Sequence, residues 1–397
     1  MMPLSPDAAT LAPERRQRLS GRVAKAFARS PAHILIARPD HLGDLLLTLP
    51  AISALRRALP DAQITFLVPA GLEAVPAHCP DVDQTYAAAF PPLLAPLDRS
   101  GWDRRAVGEA SALRGHFDLV LLPRPDDPWS GALVGAAAIP VRLGYAAPRT
   151  RPYLTAALPV PAHRHVARVA LDLAAVAAAL LGAPDAVDAG AWRPVRFVPT
   201  PADQAEARAV LATTPAGDAP IVLHPGSGWP LKDWSADRWG VLARALARRY
   251  HAPVLVVGTA REGAFVAAVV TASGGDACGV AGRLSLGGLA AFQRRARLVV
   301  ATDSGALHLA AAVGTPVVGL YGPADPAEFG PWCPPERQRI VRVPLPCSPC
   351  RTLVDPPCGA TREPACVATI TVDAVLAAAA DFLDARPVPV RRSTHSG

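Results

Sequence analysis

The sequence predicts an α/β protein made of two successive strand–helix–strand halves, and three observations carry that prediction. The chain has 397 residues, enough for two domains of roughly 100 to 200 residues each. Two stretches, one in each half, read as strand, polar turn, helix and strand, the pattern of a parallel sheet. Between them, up to about residue 200, Ala, Pro and Gly recur and WRPVRFVPTP reads as a crossing segment.

Residues 13 to 29, PERRQRLSGRVAKAFAR, have the character of a basic helix with Leu19, Val23, Ala26 and Phe27 along one side. Such a helix can lie on an anionic membrane. Its apolar face is small, so packing on the first domain is the preferred reading. The first strand is HILIA, 33 to 37. It runs into RPDHLGD, a loop holding Arg38, Asp40, His41, Gly43 and Asp44, then into LLLTLPAISALRRALP, helical in character despite Pro50. QITFLV, 63 to 68, is the next strand. A carboxylate in this loop faces the space beyond the strand ends and can act as a general base. Asp40 reads as a cap of the following helix, whereas Asp44, directly after Gly43, is the candidate base. FDLVLLP is a buried strand ending in Arg124-Pro125-Asp126-Asp127, PVRLGY is another, and residues 163 to 182 form a long helix with Arg164, His165 and Arg168 near its start.

The second half opens with a helix over 201 to 212 and the strand IVLHPG. The loop after it, SGWPLKDWS, brings Gly226, Ser227 and Gly228 to wrap a phosphate and Lys232 to neutralise one, and Ser235 caps the helix that follows. PVLVVG is a strand, and Glu262 falls just past its end, suited to a ribose hydroxyl. After the helix in GRLSLGGLAAFQRRA comes VVATDSGALHLAAAVGTPVVGLYGP, 299 to 323. This stretch reads as a strand ending at Asp303-Ser304-Gly305, a short buried helix stopped by Gly314, and a second buried strand. Ligands of parallel sheets bind beyond the carboxyl ends of the strands. A helix starting at Ser304-Gly305 turns its unpaired N–H groups and positive dipole end toward that space, a site for phosphate, and His308 lies one turn further in. Read alone, Asp303 serves equally well as a helix cap and His308 as a satisfied core histidine.

Apolar residues make up 51% of the chain and 44 prolines are scattered through it. No apolar run reaches the roughly 18 residues a spanning helix needs, and the start of the chain lacks the pattern of a signal peptide, so a cytoplasmic protein is expected. The net charge of +7 fits an anionic partner, either a phosphate-bearing substrate or a membrane surface. Nucleic acid is disfavoured, because no basic stripe carries interleaved aromatics. From Cys333 onward lie five of the seven cysteines. Cys347-Ser-Pro-Cys350 has zinc-knuckle spacing, and Cys358 and Cys366 would complete a structural zinc site, although free thiols are the preferred reading.

With those residues placed, the chain resembles glycosyltransferase family 9, the ADP-heptose:lipopolysaccharide heptosyltransferases, over about residues 33 to 380. Three stretches in order carry the resemblance: RPDHLGDLLLTLPAISALRRALP, HPGSGWPLKDW and TDSGALHLAAAVGTPVVGLYGP. It implies a GT-B fold, two Rossmann-like domains facing across a cleft. The expected layout is a basic extension at 1–30, an acceptor domain at 31–198 and a nucleotide-sugar domain at 199–372. A final helix at 373–386 is expected to cross back to the first domain, followed by a disordered tail at 387–397.

The resemblance also implies Asp44 as catalytic base and Ser227 and Lys232 for phosphate. It implies Glu262 for ribose, and Asp303, Ser304, Gly305 and His308 around the diphosphate and sugar. The implied reaction is inverting heptosyl transfer from ADP-heptose to a lipopolysaccharide core or related glycan, with no cofactor and no catalytic metal, at the inner face of the cytoplasmic membrane. Two other readings are the same fold with another nucleotide sugar, and a catalytically silent nucleotide-sugar binding protein. A dinucleotide-dependent dehydrogenase is excluded because no strand is followed by GxGxxG. Where many family members carry an Asp-centred polar turn after FDLVLLP, this chain has RPDDPWS, in a region expected to select the acceptor. A carboxylate at a helix start is normally acidified by the helix dipole, so Asp44 needs desolvation to act as a base.

Overall fold

A computed structural model describes residues 32–90, 108–215 and 219–384. The basic extension and the C-terminal tail lie outside the described residues. The chain divides into two compact units, the first comprising Met1–Gln204, Leu286–Ala290 and Pro326–Cys333, the second Ala205–Ser285, Ala291–Asp325 and Pro334–Gly397.

The first unit is built on a six-stranded sheet of β1 (His33–Ala37), β2 (Gln63–Pro69), β3 (Gln84–Ala88), β4 (Leu119–Leu121), β5 (Val141–Tyr145) and β6 (Ala156–Leu158). All its pairings are parallel and the order is β3-β2-β1-β4-β5-β6. Ile34, Leu35 and Ile36 are at most 1% exposed, as expected of a central strand covered on both faces. The helix Leu42–Ala58 is buried from Leu45 through Leu55 and packs against the helix Val166–Leu180. Asp44 lies in its first turn and Arg56 and Arg57 in its last, both on the side that the helix dipole favours.

The second unit repeats the plan with β7 (Ile221–His224), β8 (Val254–Val256), β9 (Ala277–Gly279), β10 (Leu298–Thr302), β11 (Val317–Leu320) and β12 (Gln338–Val341). Its order, β12-β11-β10-β7-β8-β9, is the same doubly wound topology read from the other edge, and every pairing is again parallel. In each unit the chain steps outward in opposite directions from the two central strands. The loops after β1 and β4, and after β7 and β10, therefore diverge and leave a crevice where such folds bind ligands.

Four strands, β3, β6, β9 and β12, match none of the apolar runs that predicted strands, and they are the outermost strands of the two sheets. β3 and β12 are largely exposed or half-buried, so they need no continuous apolar sequence.

The final helix, Val372–Leu383, is where the fold departs from expectation. Instead of crossing back to the first domain, it joins the second unit's core through Val375, Ala379 and Leu383, in the same cluster as Trp234 and Trp239. Thr371 caps it, its Oγ1 accepting the Ala374 N–H at 3.2 Å. Two stretches after Gln204 belong to the first unit, Leu286–Ala290 and Pro326–Cys333, the second of which holds Trp332. There the Trp332 indole N–H donates to the Arg193 carbonyl at 2.6 Å, its ring lies 4.7 Å from that of His165, and the Arg168 guanidinium sits 5.0 Å over it.

Candidate active site

In the second unit the crevice lies beyond β7 and β10. Asp303 follows β10 and Ser304 is the N-cap of the helix Gly305–Ala312. The Ser304 side chain places no oxygen on the first-turn amides; the Leu307 N–H donates to the Ser304 carbonyl at 3.1 Å, which leaves the Gly305 and Ala306 N–H groups at the helix start for an anion. Lys232, from the loop after β7, reaches across to this point: its Nζ lies 2.6 Å from Asp303 Oδ2. Asp303 and His308 are each 5% exposed. Burial works to raise the Asp303 carboxyl, but Lys232 and the His308 contact outweigh it and hold the group below the usual range. His308 Nε2 is 3.8 Å from Asp303 Oδ1, while its buried Nδ1 meets no protein partner. A buried polar atom left in that state is suited to a ligand or a water.

Gly226 and Glu262 form the other wall. Glu262 Oε2 accepts the Thr259 N–H at 2.7 Å and the Thr259 hydroxyl at 2.8 Å, closing a capping box. A Cβ on Gly226 would stand 1.9 Å from Glu262 Oε1, so only glycine lets this carboxylate lie against the strand end. Ser227 is committed to its own loop: Oγ is 2.8 Å from both the Trp229 carbonyl and Asp233 Oδ1, and it accepts the Trp229 N–H at 3.0 Å. The structure thus gathers Lys232, Asp303, Ser304, Gly305 and His308 at one strand end with Glu262 beside Gly226. It gives the Ser227 hydroxyl a role in shaping the loop.

His224 is a member that sequence reasoning missed. It ends β7, is 8% exposed, and its Nδ1 lies 3.4 Å from Ser304 Oγ. Burial lowers its pKa, against the opposing charge of Glu262, so it is a neutral imidazole near pH 7. Its place at the last strand position, two residues before Gly226, was the available signal.

In the first unit the crevice lies beyond β1 and β4 and is charged differently. Arg38 is 3% exposed, and a single guanidinium nitrogen, Nη2, lies 3.1 Å from Asp40 Oδ2 and 3.0 Å from Asp44 Oδ1. Burial pushes the Asp44 carboxyl up to about 6, helped by the negative charge of Asp40 and opposed by Arg38. That is the opposite direction from the helix dipole acting alone. Asp40 does not cap the helix Leu42–Ala58, whose N-cap is His41. Its Oδ1 accepts the His41 N–H at 3.0 Å. From the loop after β4, Arg124 Nη1 lies 3.8 Å from Asp40 Oδ2. Asp127 caps the helix Pro128–Ala136, its Oδ1 accepting the Ser130 N–H at 3.0 Å, and burial pushes its carboxyl up to about 6. Arg38, Asp40 and Arg124 were visible in the sequence as loop residues, but nothing in their spacing announced that one guanidinium would serve two carboxylates.

The cysteines do not form the four-sulfur set their spacing suggested. Cys347 and Cys358 are exposed, Cys366 is buried, and among the described residues no three of Cys347, Cys350, Cys358 and Cys366 bring their sulfurs within 4.8 Å of one another.

Two doubly wound units, one with a lysine and a helix start at its strand ends and the other with a half-buried carboxylate pair, define a two-domain α/β protein of the doubly wound class. The glycosyltransferase family 9 (heptosyltransferase) model matches residues 109–357. Lipopolysaccharide heptosyltransferase 1 of Pseudomonas aeruginosa is 28% identical over 326 residues, covering 80% of this chain and 85% of that protein. Among solved structures, the family 9 glycosyl transferase of Veillonella parvula superposes with a TM-score of 0.72 at 22% identity, covering 89% of this chain and 97% of that one. Escherichia coli heptosyltransferase WaaC with ADP-2-deoxy-2-fluoro heptose superposes with a TM-score of 0.60 at 21% identity, covering 87% and 98%. The chain belongs to glycosyltransferase family 9 and has the GT-B fold, as its sequence motifs implied.

Proposed function

We propose that the chain transfers heptose, with inversion, from ADP-heptose to the core of a lipopolysaccharide or a related glycan. The observation that carries this reading is the ion pair of Lys232 with Asp303 at the uncapped start of the helix Gly305–Ala312. A leaving nucleoside diphosphate gains negative charge as the glycosidic bond breaks. A lysine ammonium and oriented backbone N–H groups at that point stabilise the charge where it develops. These groups do the work a divalent cation does elsewhere, which supports transfer without a metal. The substrates follow from the relatives, which are named as lipopolysaccharide heptosyltransferases, and from WaaC, solved with a fluorinated ADP-heptose.

In this mechanism Asp44 accepts the proton of the acceptor hydroxyl. The oxygen attacks the anomeric carbon, the bond from that carbon to the β-phosphate oxygen breaks, and ADP departs. A carboxyl held at about 6 is ionised at neutral pH and remains a stronger base than an exposed aspartate. Glu262 Oε1, beside Gly226, takes the ribose hydroxyls. Ser304, Gly305 and His308 contact the diphosphate and sugar, and Asp303 holds Lys232 in register. Ser227 supports the loop rather than the phosphate. No helix among the described residues is long and apolar enough to cross a membrane. Work at the cytoplasmic membrane face is the setting that a lipopolysaccharide acceptor and a +7 chain favour.

The test is calorimetric binding of ADP, UDP and GDP with and without magnesium, followed by ADP release from ADP-heptose with a deacylated, heptose-free lipopolysaccharide core. Selective, metal-independent ADP binding and core-dependent release are expected. Preference for UDP or GDP would remove the heptose assignment.

A further inference from the structure

We infer that Asp40 is a positioning residue for Asp44: it shares the Arg38 guanidinium with Asp44 and fixes a negative charge beside the base. The inference rests on the reading of Asp44 as the base. Its geometric ground is the unequal division of partners within a half-buried cluster around the buried Arg38. Asp40 is held on both oxygens. Oδ1 accepts the His41 N–H at 3.0 Å and lies 3.3 Å from the His41 ring Nδ1, while Oδ2 faces Arg38 at 3.1 Å and Arg124 at 3.8 Å. Asp44 has Arg38 at 3.0 Å, through the same nitrogen, and the His41 ring only at 4.0 Å.

Two carboxylates this close cannot both be strongly acidic when one buried guanidinium lies between them; the better-partnered one stays ionised and the other takes up the proton affinity. Asp40 is the better-partnered one. Burial acts to raise it, but Arg38, the His41 hydrogen bond and Arg124 outweigh that and hold it well below the usual carboxylate range. Asp44 is raised by burial first and by Asp40 second. Without Asp40, Arg38 would serve Asp44 alone and, with the helix dipole, would acidify it.

The remaining charges nearby are engaged elsewhere. Asp127 caps its own helix, and on the helix packed against Leu42–Ala58, Asp172 is paired with Arg164 at 2.6 Å while Arg168 lies on Trp332. Tyr145 on β5 donates its hydroxyl to the Val169 carbonyl at 2.6 Å. None of them duplicates Asp40.

The experiment is a carbon-13 carboxyl titration of Asp44 in the ligand-free full-length protein, assigned with Asp44→Asn, in wild type, Asp40→Asn, Asp40→Ser and Asp40→Glu. It is paired with the pH profile of ADP release in the same variants. Removing the charge in Asp40→Asn or Asp40→Ser is expected to move the Asp44 midpoint down by about one pH unit or more. The rate above about pH 7.5 is expected to fall about 3- to 10-fold, with the Michaelis constant for ADP-heptose unchanged. Asp40→Glu keeps the charge and is expected to keep the midpoint near that of wild type. An unmoved midpoint, or an equal loss of rate at every pH, overturns the inference, and Asp40→Ser gives the same measurement if Asp40→Asn does not fold. Full transfer activity in Asp44→Asn would instead remove the base reading, while a shifted midpoint in Asp40→Asn would still stand.

Discussion

The two crevices share one topology and carry opposite chemistry. Each lies where a doubly wound sheet reverses direction, between β1 and β4 in the first unit and between β7 and β10 in the second. In the second, Lys232, paired with Asp303, stands at a helix start that has no side-chain cap. In the first, the helix start on the other side of the switch point, after β1 rather than β4, carries two carboxylates and an arginine. The helix Gly305–Ala312 opens with small residues and no side-chain cap, whereas the helix Leu42–Ala58 carries Asp44 in its first turn. A helix N-terminus is thus a neutral resource. Whether it binds a phosphate or positions a base is decided by the one or two charged side chains the strand ends add to it.

The sharpest way to break this comparison is to remove the group that makes the first crevice a base. Asp44→Asn is expected to lower the transfer rate about 10²- to 10⁴-fold with ADP affinity unchanged, read by ADP release and by calorimetry. A comparable loss of ADP affinity would mean that the two crevices do not divide the chemistry in this way. Removing the cation of the second crevice should do the reverse. Lys232→Ala is expected to weaken ADP binding about 10- to 100-fold. It also strands the buried Asp303, which destabilises the fold. The double variant Lys232→Ala/Asp303→Asn removes that orphaned charge and should recover the melting temperature without recovering affinity.

A smaller effect tests the burial of charge in the first crevice. Asp127 has a folded-state pKa raised to about 6, so its ionisation costs stability above that pH, and the cost is relieved as pH falls from about 6 toward the unfolded value near 4. Asp127→Asn keeps a competent N-cap and should stabilise the protein by about 1 to 3 kcal/mol at pH 8, with the gain fading by about pH 4.5; melting curves at the two pH values read it. In the second crevice, Gly226→Ala forces Glu262 away from the strand end and should weaken ADP binding about 3- to 10-fold. Ser227→Ala is expected to change ADP affinity by less than about 3-fold, because its hydroxyl is already spent on Trp229 and Asp233. A larger loss in the calorimeter would return Ser227 to the phosphate site.

Residue patterns made the central strands, the helices between them and the strand-end loops legible, because strands buried on both faces must be continuously apolar and their loops must be polar. The four edge strands were not legible, since an edge strand needs only partial burial. Lys232, Asp303 and Ser304 were readable as a group because phosphate binding uses a known alphabet of lysine, small residues and a helix start. Ser227 belongs to the same alphabet; what its spacing could not show is that Asp233, six residues later, meets its hydroxyl at 2.8 Å. The four cysteines matched a zinc spacing, but among the described residues no three of their sulfurs come within 4.8 Å of one another.

By itself, then, the sequence determined the family, the two α/β halves and the positions where ligands meet strand ends, all of which depend on local pattern and order along the chain. Tertiary structure decided what order cannot encode. It brought Lys232 from one loop to Asp303 on another, 71 residues apart in sequence, and set one Arg38 nitrogen between Asp40 and Asp44. It also packed the final helix against Trp234 and Trp239 rather than on the first unit. Proton affinity is the clearest case. The sequence places Asp44 at a helix start, where it should be acidic, and only the burial and companion charge supplied by folding reverse that sign.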